Sequence, residues 1–213
     1  MPDLQLVYAD EALLVWNKPA GLLSVPGRGA DKQDCLSRRA TERYPDALVV
    51  HRLDMATSGL LLMARGVAAQ RSLNHAFAQR QVHKRYEAVV HGVLGRASAD
   101  WQQIELPIAA DWPNRPLRVI DAVRGKPSLT RWQLLASDAK SQTTRLLLEP
   151  VTGRSHQLRV HLQAIGHPIV GDGLYGPPLE TSSTQRLLLH ASQLELSHPT
   201  TGHALRFDSP APF

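Results

Sequence analysis

The chain has a single cysteine, Cys35, among 213 residues. One thiol cannot close a disulfide within the chain and cannot by itself build a zinc site. Long apolar runs are missing too: none approaches the roughly 20 residues that a membrane-spanning helix needs. No apolar segment of the secretion-signal type opens the sequence. These absences argue against a disulfide-stapled scaffold or a helical membrane protein, and a cytoplasmic location is the expectation. Internal repeats and low-complexity tracts are lacking as well. Acidic residues are outnumbered, 19 against 24 Lys and Arg, which gives a net charge of +5 and a pI near 9.7. That balance favours a polyanionic partner, nucleic acid first. What remains is ordinary: 43% hydrophobic and 20% charged residues, in a length that buries a real core.

The order of local patterns points to an α+β fold. Residues 4 to 17 read as two short strands around an Asp10-Glu11 turn, and the Pro and Gly residues from 19 to 29 read as a loop. A helix over 35–44 is stopped by Pro45. Leu60 to Ala64 reads as a buried strand, followed by a helix from about Ala68 to Arg80 with Leu73 and Phe77 on its inner face. Strands are expected at Tyr86–Val93, Trp132–Leu135 and Thr144–Glu149. After Gly153 the spacing of Leu158, Leu162 and Ile165 is helical, with Gly166 as the C-terminal cap. Three further strands are expected, at Leu187–His190, Leu194–Ser197 and Leu205–Asp208. Many strands with few helices, in no regular βαβ alternation, argue for α+β over a doubly wound sheet.

The chemistry concentrates in His51-Arg52-Leu53-Asp54-Met55-Ala56-Thr57-Ser58-Gly59, which runs into the apolar segment Leu60–Ala64. A carboxylate among apolar residues is expensive to desolvate without a partner. Asp54 is therefore either a turn residue bonding the amides of Thr57 or Ser58, or a reactive group held in a cleft. Ten histidines invite a metal reading, but His156 and His161 lie five apart, on different sides of a helix, and no HExxH arrangement occurs. No metal is expected.

The segment HRLDMATSG resembles the signature of the RluA-type pseudouridine synthases, whose Asp is the nucleophile. Further blocks resemble that family in the family's order. They are Asn17–Gly21, Lys84–Ala88, Gly153–Arg159, Gly171–Gly176 and Arg186–Ala191, so the likeness spans roughly residues 13 to 207. Six ordered blocks are far more specific than one short pattern. The resemblance implies one catalytic domain over 1–213, with a mixed, mainly antiparallel sheet, flanking helices and a central cleft. It also implies that the S4-type RNA-binding module of many relatives is absent here.

The implied reaction breaks the N-glycosidic bond of a uridine, turns the base, and rejoins it through carbon 5. No electrons are exchanged, so no cofactor is expected. The resemblance assigns Asp54 as nucleophile, Arg154 as the guanidinium that favours its ionised form, and Tyr86 to stack on the uracil and help take the carbon-5 proton. Arg159, in the same motif, is the second candidate for the guanidinium. Arg52 would fill the space of the extruded base or grip the backbone, and Leu189 would close the pocket. Phosphates would meet Arg28, Lys32, Arg38, Arg39, Arg80, Lys84, Arg85, Arg115 and Arg118. The implied partner is structured RNA, the anticodon stem-loop of tRNAs and a hairpin of 23S rRNA, met by a monomer. Two alternatives stay open: a different rRNA or tRNA target, set by the loops at 22–34 and 110–127, and an RNA-binding or folding-assistance protein.

Overall fold

The computed structural model describes residues 4–95, 100–178, 184 and 186–213. The chain forms two compact units, Met1–Lys84 with His190–Pro212 and Arg85–Leu189 with Phe213.

In the first unit, β1 (Gln5–Ala9) and β2 (Leu13–Lys18) form an antiparallel hairpin. Asp10 makes the turn, its Oδ1 accepting the amides of Ala12 and Leu13 at 2.8 Å each. Next come α1 (Leu36–Arg43), β3 (Ala47–Val49), β4 (Ser58–Arg65) and α2 (Gly66–Ala78). β4 pairs antiparallel with both β2 and β3. Leu13, Val15, Leu60, Leu62 and Ala64 pack in one core with Ala69 and Leu73 of α2. Residues 58–64 of β4 are all buried, which is why that segment is apolar without alternation.

The second unit holds β5 (His83–His91) from Arg85 onward, β6 (Gln102–Glu105), β7 (Ile108–Ala110), β8 (Arg118–Ile120), β9 (Leu129–Asp138) and β10 (Thr143–Pro150). β10 lies between β5 and β9, and β6 flanks β9, all antiparallel; β7 and β8 make a separate hairpin. The helix α3 (Gln157–Ala164) is closed where its spacing predicts, with Gly166 at φ 83° donating its amide to the Gln163 carbonyl at 2.9 Å.

The chain then returns to the first unit in β11 (Leu189–Ser197), from His190 on, and β12 (Ala204–Asp208). β12 pairs antiparallel with β11, and β11 runs parallel to β4 at His190–Ser58 and Ala191–Gly59. β11 corrects the sequence reading, which has two strands here. Its polar middle is no break, because the sheet satisfies it. His190 is bonded to Ser58 at 2.8 Å and Ser209 at 3.1 Å, and Gln193 donates to Asp208 at 2.7 Å. Among the described strands pairing is mainly antiparallel, with β4 and β11 parallel, in an α+β fold as the sequence predicts.

Candidate active site

Asp54 sits, partly buried, in the loop between β3 and β4. Local bonds fix that loop on both sides of it. The Ser24 hydroxyl donates to the Leu53 carbonyl at 2.7 Å and accepts the Leu53 amide at 3.1 Å. The Met55 carbonyl accepts the Gly21 amide at 2.9 Å and the Lys18 ammonium at 3.1 Å. The Thr57 amide donates to the main-chain oxygen of Asp54, 3.1 Å away.

Lys18 is the least expected member of this group. It ends β2, is 0% exposed, and also donates to the carbonyls of Pro19 at 2.9 Å and Leu22 at 2.8 Å. Burial pulls its pKa down to about 8, and the nearby Asp54 charge works against that pull. Sequence reading did not single out Lys18 or Ser24, which hold the loop that carries Asp54. The only signal was their place in the segment Asn17–Ser24, whose chemistry is invisible until the loop folds over it.

Beside this loop His51 is neutral, its pKa driven to about 3 by burial and then by the Lys84 charge. Its Nε2 accepts the Leu62 amide at 2.9 Å, and its ring lies 4.9 Å from that of Phe77. Lys84 packs its ammonium 5.6 Å from the Phe77 ring centroid, and burial lowers its pKa. Arg52 is exposed and forms no ion pair among the described residues.

In the second unit Tyr86 is a buried residue of β5, in register with Leu148 of β10. Leu189, also buried, opens β11. The two arginines of the Gly153–Arg159 segment differ sharply. Arg154 is exposed; its guanidinium reaches the Pro127 carbonyl at 3.4 Å, and its amide bonds the Gln157 side chain. Arg159 is buried, its Nε and Nη2 gripping the two Asp172 oxygens at 2.7 and 2.6 Å, with its Cζ 5.1 Å from the Tyr175 ring centroid. Asp172 also accepts the amides of Leu174 and Tyr175. This buried fork fixes Arg159 on the helix without substrate. His161 spends Nδ1 on Thr130 and donates Nε2–H to the Leu106 carbonyl, both at 2.9 Å, while His156 meets the Tyr175 hydroxyl at 2.7 Å.

The basic residues expected at phosphates differ in their surroundings. Arg28, Lys32, Arg38, Arg80 and Arg115 are exposed and form no ion pair among the described residues. Arg39 is held by Asp34 at 2.6 Å, and Arg85 lies 3.8 Å from Glu149. Arg118 is partly buried.

Comparison with known proteins agrees with the resemblance of the motifs. The family model described as RNA pseudouridylate synthase matches residues 12–164. Dual-specificity RNA pseudouridine synthase RluA of Escherichia coli K12 is 44% identical over 212 residues, which covers 100% of this chain and 95% of the relative. The protein of that name from Vibrio cholerae is 46% identical over 205 residues, covering 96% of this chain and 81% of the relative. Among solved structures, human RNA Pseudouridylate Synthase Domain Containing 1 superposes with a TM-score of 0.80 at 33% identity, covering 99% of this chain and 84% of that one. The chain thus belongs to the RNA pseudouridylate synthase family, enzymes that isomerise uridine to pseudouridine in RNA.

Proposed function

We propose that this isomerase modifies specific uridines in structured RNA, the anticodon stem-loop of tRNAs and a hairpin of 23S rRNA, acting as a cytoplasmic monomer without a cofactor. Similarity to dual-specificity relatives over the full length of the chain carries this reading. RNA recognised by shape accommodates two substrates that adopt one loop geometry.

In this reading Asp54 attacks the extruded uridine, and its loop is already held by Lys18 and Ser24, so little ordering is left for the reaction. Tyr86 supplies the ring for stacking and the hydroxyl for the carbon-5 proton. Arg52, exposed beside Asp54, takes the place of the extruded base, and Leu189 forms part of the pocket wall. The guanidinium role has two candidates. Arg154 would have to be ordered from solvent, whereas Arg159 is already fixed by Asp172, and preorganisation favours Arg159.

The test is Asp54→Asn, with carbodiimide-reactive pseudouridines mapped in total RNA. Cells carrying only this variant should lose one tRNA signal and one 23S signal, while the purified variant still binds RNA. Intact signals would refute the assignment, and loss at other positions would redirect the targets. Arg154→Gln should slow turnover less than Arg159→Lys, which keeps the charge but loses the fork; the reverse order would restore Arg154 to the role.

A further inference from the structure

β7 and β8 project a tight turn, residues 111–117, that takes no part in the isomerisation step itself. The turn is internally pinned. The Asp111 amide donates to the Leu117 carbonyl at 3.1 Å, and the Leu117 amide to the Asn114 carbonyl at 3.0 Å. Both Asp111 carboxylate oxygens are engaged by Asn114, one by its amide at 3.3 Å and one by its side chain at 3.0 Å. At the base, the Arg118 amide donates to the buried Tyr175 hydroxyl at 2.8 Å.

This fixed tip presents Trp112, 67% exposed, with the Arg115 guanidinium 3.4 Å from its ring centroid. At that distance the guanidinium lies on one face of the indole. An indole two-thirds exposed despite that cover offers the rest of its surface to water, an arrangement that core packing does not account for. An aromatic ring backed by a cation is suited to one kind of ligand. A nucleobase lends its flat face to stacking, and its phosphate meets the arginine. Paired bases inside a duplex present no open face, so the ligand must be unpaired. The net charge of +5 and the exposed Arg115, which forms no ion pair among the described residues, complement RNA in sign.

We propose that Trp112, backed by Arg115, is a stacking platform for an unpaired base of the substrate RNA, one that is not itself modified. The inference rests on the reading of this chain as an RNA-modifying enzyme and adds a specificity-determining surface to it. The platform distinguishes a looped RNA from a continuous helix by contact with a base face, where phosphate contacts cannot.

The test measures binding in the Asp54→Asn background, so that chemistry plays no part. Two probes are used: an unmodified stem-loop RNA with unpaired loop bases, and a blunt duplex of the same stem. Adding Trp112→Ala should weaken stem-loop binding by about tenfold and leave duplex binding unchanged. Trp112→Phe, which keeps a ring, should recover most of the loss. The stem-loop should also quench tryptophan emission in the parent, and Trp112→Phe should abolish that part of the quenching. Unchanged stem-loop affinity in Trp112→Ala, or an equal loss for stem-loop and duplex, would overturn the platform. Absence of pseudouridine formation by the wild-type protein would instead refute the enzymatic reading, so the two failures are distinguishable.

Discussion

Burying an ammonium strips it of water, a cost that is several kcal/mol for an unpaired ion. At Lys18 that cost is offset by three carbonyl oxygens and by the charge of Asp54. Lys18 holds its proton below about pH 8 and gives it up above, which removes a charge beside Asp54 and one donor to the loop. Turnover is therefore expected to fall on the alkaline side with a midpoint near pH 8. Lys18→Met should lack that alkaline limb and be slower by about tenfold at neutral pH, since the carbonyls of Pro19, Leu22 and Met55 each lose a donor. A pH–rate profile of the variant that keeps the same alkaline midpoint would show that Lys18 is not its source. Lys18 also marks where sequence reading stops. Asp54 stands out along the chain as a carboxylate between apolar residues, which by itself leaves a turn residue and a reactive group both open. Only the resemblance of its segment assigns the second. One of the three carbonyls around Lys18, that of Met55, lies 37 residues away, a contact that no local pattern encodes.

Among the elements, β4 carries a tight constraint. Gly59 sits between Lys18 of β2 and Ala191 of β11, at φ +110°. A Cβ there would lie 2.3 Å from the Ala191 carbonyl oxygen. Gly59→Ala should accordingly cost about 2–3 kcal/mol, from backbone strain and collision together. That corresponds to a fall in Tm of roughly 4–12 °C for a chain of this size, readable by calorimetry. An unchanged Tm would mean that β11 can move away. The elements themselves were largely readable. Apolar periodicity found α2 and α3 to within a few residues, and the unbroken run 60–64 found β4. Sequence reading has two strands where β11 runs unbroken; the partners that satisfy its polar middle, Ser209 for Ser192 and Asp208 for Gln193, lie on the far side of a turn. Partnering across a sheet is a tertiary fact. The arginine motif shows the same limit, since the contrast between exposed Arg154 and buried Arg159 follows from Asp172 thirteen residues beyond.

For the molecule as a whole, charge governs association. Arg28, Lys32, Arg38, Arg80 and Arg115 are exposed and without an ion pair among the described residues. If these make about five phosphate contacts, with a slope near −0.7 for each, a fourfold rise in salt lowers RNA affinity by roughly a hundredfold. Replacing Arg28 or Arg38 by Gln should flatten that slope by about 0.7 each. A binding constant indifferent to salt would exclude the phosphate role for this set. Net charge was visible from composition, but the division between spent and available cations was not. Arg39 and Arg85 looked equivalent to the others until Asp34 and Glu149 were placed beside them.

Cys35, the sole thiol, immediately precedes α1 and is completely shielded, with its sulfur 3.4 Å from the Ser37 hydroxyl. The folded surface described here is thus blank to maleimide reagents. A cysteine introduced at Val123, which is 93% exposed, would take a fluorophore or spin label alone. The wild-type background is already suited to single-site spectroscopy, with no native thiol to remove.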